Sequence, residues 1–414
     1  MVFSIDVPTE LEVQGDVAEG YGPVADAFRR NVRDRGEVGA ACAVVRDGEV
    51  VVDLWGGYRD GHRRLPWAED TLVTMFSTTK GVASMAVALA HARGLVDYDA
   101  PVARYWPEFA AAGKDAVTVR QLLSHQAGLA VIDSPLDVDD LLDLDRMAAV
   151  IAAQAPAWQP GTRHGYHGIT LGWYEGELIR RVDPDGRSLG RFFAEEIARP
   201  LDLDVHIGLP DDVDVGRLAF IHGYKPAEMV LHVHELPWRF VAAFLNPRSA
   251  TARSFANPAV LAELASYNRI DILRAEIPAA NGTGRVRDVA RAYGEFATGD
   301  QCLGLDEATL SALRDPATPP AEGLEDEILK VETTFSLGYI KPFPRFRFGT
   351  AADAAFGTPG AGGSFGFADP DVGIGFCYAP NRSGFHLWDD PRELALRDAL
   401  YVDCLAERPQ HPDR

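Results

Sequence analysis

Ser77 and Lys80 are the residues whose types and spacing point first to chemistry. They stand in Ser77-Thr78-Thr79-Lys80, just before the apolar run Gly81-Val82-Ala83-Ser84-Met85-Ala86-Val87-Ala88-Leu89-Ala90. The run has no interior Gly or Pro and stops at Arg93-Gly94, where Gly is a usual helix terminator. A helix that is apolar nearly all round is buried. Residues three apart share a helix face, so the serine and the lysine meet near the first turn. Desolvation of an amine there favours its neutral form. A neutral amine beside a serine hydroxyl can take the proton that makes serine a nucleophile. Lysine is scarce, at 5 of 40 basic residues, and no other lysine has a serine three residues upstream.

The elements around this pair set the expected architecture. Ala41 to Arg46 and Val50 to Trp55 are strand-like runs flanking Asp47-Gly48-Glu49, a hairpin signal. Residues 20–35 read as a helix before them. From Asp97 to Asn268 the pattern is mostly helical with long loops, as in Val119 to Leu123, Leu144 to Ala155, Leu171 to Val182 and Phe192 to Ile197. Asp211 to Pro247 fits no period. A helix from Val286 to Ala297 precedes strand-like runs at Thr334 to Ile340, Ser364 to Ala368 and Val372 to Tyr378. A last helix is expected over Pro391 to Leu405, with a disordered tail from Glu407. Strands at both ends with helices between predict an α/β (α+β) fold. Residues 1–95 and 275–414 would form one lobe with an antiparallel sheet flanked by helices, and residues 96–274 an inserted, mostly helical lobe. A cleft between the lobes is the natural ligand site.

Further motifs follow in order. They are Leu122-Leu123-Ser124-His125-Gln126-Ala127-Gly128, Trp158-Gln159-Pro160-Gly161 leading to Tyr166-His167-Gly168, Arg199-Pro200-Leu201-Asp202-Leu203, and Gly357-Thr358-Pro359-Gly360-Ala361-Gly362-Gly363-Ser364. With Ser77-x-x-Lys80 they resemble the serine β-lactamase/transpeptidase-like superfamily from about residue 20 to 400, and within it the class C-related family VIII carboxylesterases. The resemblance implies that Ser77 is the nucleophile and Lys80 its partner. It implies that Tyr166 acts with Lys80 as general base, as a phenolate held by the ammonium, with the resting proton assigned to neither. It implies an oxyanion hole from the backbone N–H groups of Ser77 and Ala361. His167, Gly168, Thr358, Gly360 and Gly362 would line the substrate cleft.

Two departures bear on substrate. Gly168 stands where the family's Y-x-N element has asparagine, and Thr358 where the K-T-G element has lysine. Neither can hold the amide or carboxylate of a β-lactam, which favours neutral esters. Three other features read as structural. Gly362-Gly363-Ser364-Phe365-Gly366 matches the G-x-S-x-G elbow, but a strand-like run rather than a helix follows Ser364. His232-Val233-His234-Glu235 lacks a third metal ligand, and His125 is expected to order its loop.

Composition sets the outer bounds. The 414 residues are 47% hydrophobic and 24% charged, with a net charge of −21. That acidity disfavours nucleic acid and anionic membranes as partners. The start, Met1-Val2-Phe3-Ser4-Ile5-Asp6-Val7-Pro8, has no signal-peptide pattern, and Cys42, Cys302, Cys377 and Cys404 are widely spaced. A cytoplasmic enzyme with free thiols and no metal or cofactor is expected. The expected function is a serine carboxylesterase acting on a small-molecule ester, with oligomeric state open. The alternatives are an acyltransferase to a small-molecule acceptor, a β-lactamase or D-amino-acid peptidase, and a non-enzymatic binding protein.

Overall fold

Asp47 and Gly48 both adopt positive φ, 49° and 83°. A two-residue hairpin turn of that kind matches the right-handed twist of its strands, and glycine enters it without steric cost. The turn joins β2 (Gly39–Arg46) to β3 (Glu49–Asp60), with Arg46 opposite Glu49. The computed structural model describes residues 12–224, 228, 231–299 and 302–407. The stretch read for a signal sequence and most of the expected tail lie outside these residues, as does Lys225.

The main sheet is built from both ends of the chain. Besides β2 and β3 it contains β1 (Val13–Val17), β8 (Phe335–Ser336), β9 (Tyr339–Ile340), β10 (Phe356–Pro359), β11 (Phe365–Asp369) and β12 (Ile374–Pro380). Its order is β1-β3-β2-β12-β11-β10-β9-β8, with β4 (Leu65–Pro66) attached to β3. All the pairings are antiparallel. The central strands β2, β11 and β12 are buried almost throughout, because helices cover both faces. On one face lie α1 (Gly22–Asp34) and the helix Pro391–Asp398, in a cluster with Phe28, Phe365, Phe367, Phe376 and Leu400. On the other lie α2 (Thr78–Ala92) and the helix Val286–Thr298.

Residues 97–270 supply short helices and long loops, including α3 (Val119–Leu123), α4 (Leu144–Ala153) and α5 (Thr170–Val182). Thr118 and Gln121 close a capping box at the start of α3. A small sheet, β5 (Val73–Thr74), β7 (Thr283–Gly284) and β6 (Val205–His206), ties this region to the start of α2. Every residue of α2 from Thr78 to Ala90 is buried. It packs against α5 on one side and against β10 and β11 on the other. The serine-bearing helix is thus the axle between sheet and helices, which explains its apolar surface.

Candidate active site

Ser77 sits at the N-cap of α2, and the residue before it has an unusual backbone. Phe76 has φ 47°, a left-handed conformation that bulky residues rarely adopt. The turn is held in place from two directions. The Thr79 hydroxyl accepts from Gly282 N–H (2.8 Å), and Gly282 C=O accepts from Met75 N–H (2.9 Å). From the sheet side, Ser364 Oγ donates to Met75 C=O (2.8 Å) and lies 3.1 Å from Thr78 Oγ1. Gly360 fits against the same turn, since a Cβ there would stand 2.5 Å from Met75 O and 2.2 Å from Ser364 Oγ.

Lys80 Nζ lies 2.9 Å from Ser77 Oγ and donates to Ala279 C=O at 2.9 Å. Two other buried lysines show what is distinctive here. Lys114 donates to the carbonyls of Ala111, Ala152 and Gln154, and Lys341 to those of Leu313, Arg314 and Ala354. Burial lowers both, each to about 8, but each spends three N–H groups on carbonyls, which only the ammonium can supply. Lys80 has one carbonyl and one hydroxyl, and no carboxylate pairs with it directly among the described residues. Burial is the main influence on its pKa, lowering it to about 7, with the more distant Glu175 opposing. Burial therefore makes the neutral amine, which can accept the hydroxyl proton, accessible near neutral pH.

Tyr166 completes the group. Lys80 Nζ stands 4.8 Å from its ring centroid, and the neighbouring Ser77 hydroxyl partly offsets the effect of burial on the phenol. Burial dominates and holds the phenol proton far more tightly than in water. Burial thus acts in opposite senses on the expected pair, towards the neutral phenol at Tyr166 and towards the free amine at Lys80. Tyr166 is anchored by Asp326, whose carboxylate accepts from Tyr166 N–H at 3.0 and 3.1 Å and from the N–H groups of Ile328 and Leu329. Asp326 and Ala279 are site residues that the sequence reading missed. Neither belongs to a motif with its own chemistry, and both act through contacts with segments far away in the chain.

The expected oxyanion pair is placed differently in its two halves. Ser77 is half-buried and Ala361 is exposed at the tip of the Gly360–Gly363 turn, and neither N–H has a backbone hydrogen-bond partner among the described residues. The turn is braced from behind, because Gly362 C=O accepts from Arg392 Nη2 (2.9 Å) and Gly384 N–H (2.9 Å). Arg392 is itself buried and paired with Asp390 and Glu37.

Other expected cleft residues turn inward. His167 is fully buried, its Nδ1–H donates to Gly165 C=O (2.7 Å), and its Nε2 accepts from Leu129 N–H (3.0 Å). Both ring nitrogens are consumed by backbone, so it orders a loop and does not face substrate. His125 has the structural place expected of it, with Nδ1 accepting from His167 N–H. Thr358 is also buried: its hydroxyl points at α2, 3.1 Å from where a Cβ on Gly81 would stand. Gly168 is covered by Phe255, whose ring would meet a Cβ there at 2.6 Å. Leu236 and Phe240, from the segment that fitted no period, pack in the same cluster as Tyr166 and Phe255. His232 bonds Glu235 (2.8 Å) at a 3₁₀ turn, and no group of three or more side chains that could hold a metal occurs among the described residues.

The model of the beta-lactamase family matches residues 24–400. The chain belongs to the beta-lactamase family. It is 35% identical over 370 residues to the esterase/beta-lactamase LipL of Mycobacterium tuberculosis, covering 87% of this chain and 81% of that protein. Among solved structures, it superposes on a family VIII carboxylesterase with a TM-score of 0.82 at 37% identity, covering 95% of this chain and all of the other. A penicillin-binding protein homologue from Caulobacter crescentus gives 0.81 at 37% identity over the same shares. The beta-lactamase-like fold expected from the motifs is the one observed. No helix among the described residues is long and apolar enough to cross a membrane.

Proposed function

We propose that this member of the beta-lactamase family is a serine hydrolase that cleaves neutral carboxylic esters through an acyl-enzyme on Ser77. The observation that carries the reading is the 2.9 Å contact between Ser77 Oγ and a buried amine poised near neutrality. Lys80 takes the Ser77 proton as Oγ attacks the ester carbonyl carbon. The N–H groups of Ser77 and Ala361 receive the developing oxyanion. On collapse the C–O bond breaks and the neutral Tyr166 phenol protonates the departing alkoxide. The Lys80 ammonium then restores the Tyr166 proton and is itself a free amine again. Water attacks the acyl carbonyl as Lys80 takes its proton, the acyl C–Oγ bond breaks, the carboxylic acid leaves, and the Lys80 ammonium returns a proton to Ser77 Oγ.

Neutral esters are favoured by what flanks this machinery. Thr358 brings no cation, and the place of a recognising asparagine is filled by Gly168 under the apolar ring of Phe255. Losing a charge-assisted hydrogen bond costs a β-lactam about 1.5–3 kcal/mol, and losing a neutral one about 0.5–1.5 kcal/mol. A neutral ester incurs neither cost. LipL is named as both esterase and beta-lactamase, so both classes belong in the test. A panel of p-nitrophenyl esters beside nitrocefin is expected to give kcat/KM at least about 10–100-fold higher for acetate or butyrate. Equal efficiency on nitrocefin would overturn the substrate assignment.

A further inference from the structure

Ser84 lies one turn after Lys80 on the same face of α2. Its hydroxyl donates to Glu175 Oε1 at 2.7 Å, from α5. Glu175 is fully buried, and its other oxygen has no hydrogen-bond partner among the described residues. The packing is tight, since a Cβ on Gly338 would stand 3.0 Å from Glu175 Oε1 and 1.8 Å from Ser84 Oγ. No arginine or lysine forms an ion pair with Glu175 among the described residues. A buried, half-satisfied carboxyl is a poor structural element, because an apolar residue would pack α5 against α2 at lower cost. Through Ser84 it is held against the face of α2 that also carries Lys80, where its charge acts on the amine that touches Ser77.

We propose that Glu175 is a positioning residue of this active site, acting through Lys80 on the ease with which the Ser77 proton is accepted. The inference rests on the reading of Ser77 and Lys80 given above. When Glu175 carries a charge, it stabilises the Lys80 ammonium and withholds the free amine. When Glu175 is neutral, that pull is gone. Burial favours the neutral acid and raises its pKa to about 8, while Ser84 and Lys80 oppose the shift. Lys80, at about 7, titrates beside it, so the two lose their protons as a coupled pair across the neutral range. The groups facing this pair are Ser77, Tyr166 and His125 around Lys80, and Ser84, Tyr98 and Tyr339 around Glu175. Burial keeps the three tyrosines and His125 neutral there, so Glu175 is the acidic neighbour that acts on Lys80.

The test is the pH dependence of kcat/KM for a p-nitrophenyl ester, with the rate of fluorophosphonate labelling measured in parallel. Glu175→Gln keeps an oxygen for Ser84 and removes the charge. Glu175 is only partly ionised across the acid limb, so losing its charge should move that limb to lower pH by up to about half a unit. Ser84→Ala weakens only the ionised form of Glu175 and should move the limb the same way by less. A folded Glu175→Gln enzyme whose limb stays at the wild-type pH in both assays would overturn the proposal. If Gln does not fold, an unmoved limb in Ser84→Ala would do the same. A wild-type enzyme inert to ester and fluorophosphonate at every pH would instead sink the reading of Ser77 itself.

Discussion

Lys80→Arg and Lys80→Ala should be about equally inactive. Arginine stays charged in any protein setting and cannot accept the serine proton. Turnover of esters by the Arg variant within tenfold of wild type would mean that position 80 needs only positive charge. The same residue makes a stability prediction. Lys80 binds its proton less tightly when folded, with a pKa of about 7 against an ordinary 10.5. Between those values the unfolded chain holds the extra proton, so wild-type stability gains from rising pH. Lys80→Met should therefore be inactive yet more stable at pH 7, by about 1–3 kcal/mol, with the gain fading towards pH 10 in denaturant titrations. Ser364→Ala should lose about 0.5–1.5 kcal/mol with its bond to Met75 C=O and retain ester hydrolysis. At this scale the sequence was informative where side chains meet at short spacing, as Ser77 and Lys80 do. It misled at His167 and Thr358, because a residue's place in a motif does not say which way its side chain points. It was silent on Asp326 and Ala279, which reach the site across the fold.

Among the elements, α2 carries the sharpest expectation. Replacing a helical glycine by alanine ordinarily gains about 0.5–1 kcal/mol. At Gly81 the new Cβ would stand 1.9 Å from Tyr293 Oη and 3.1 Å from Thr358 Oγ1. Overpacking of that kind costs about 1–3 kcal/mol, so packing wins and the sign reverses. Gly81→Ala should lower Tm and activity together, because it pushes the serine-bearing helix off β10. Tyr293→Phe in the same chain should recover part of both, and a simple sum of the two single effects would show that the clash is not the cause. Helix α2 was legible because its apolar run and terminating glycine are local signals. The β2–β3 hairpin was legible through Asp47-Gly48 for the same reason. The expected strand over Thr334 to Ile340 divides into β8 and β9 around Leu337, which has φ 49°, and Gly338, which has φ 88°. The expected last helix ends its α-helical part at Asp398 and continues as a wider turn to Cys404. Those breaks follow from tertiary packing and leave little local trace.

For the whole molecule, the sheet assembled from both ends is the feature on which the site depends. It brings β10 and the Gly360–Gly363 turn against a helix that begins some 280 residues earlier in sequence, roughly the separation of Ser364 from Thr78. The order of motifs along the chain anticipated this closure. The packing of Phe240 in one cluster with Phe255 and Tyr166 it did not, since Phe240 lies in the segment that has no period to read. In the proposed function one serine, at the start of α2, carries the acyl group. The most direct test is to label the enzyme with a fluorophosphonate, digest it, and locate the adduct by mass spectrometry. One adduct per chain is expected, on the peptide containing Ser77, absent from Ser77→Ala and present in Ser364→Ala. An adduct on Ser364, or labelling that survives Ser77→Ala, would contradict it.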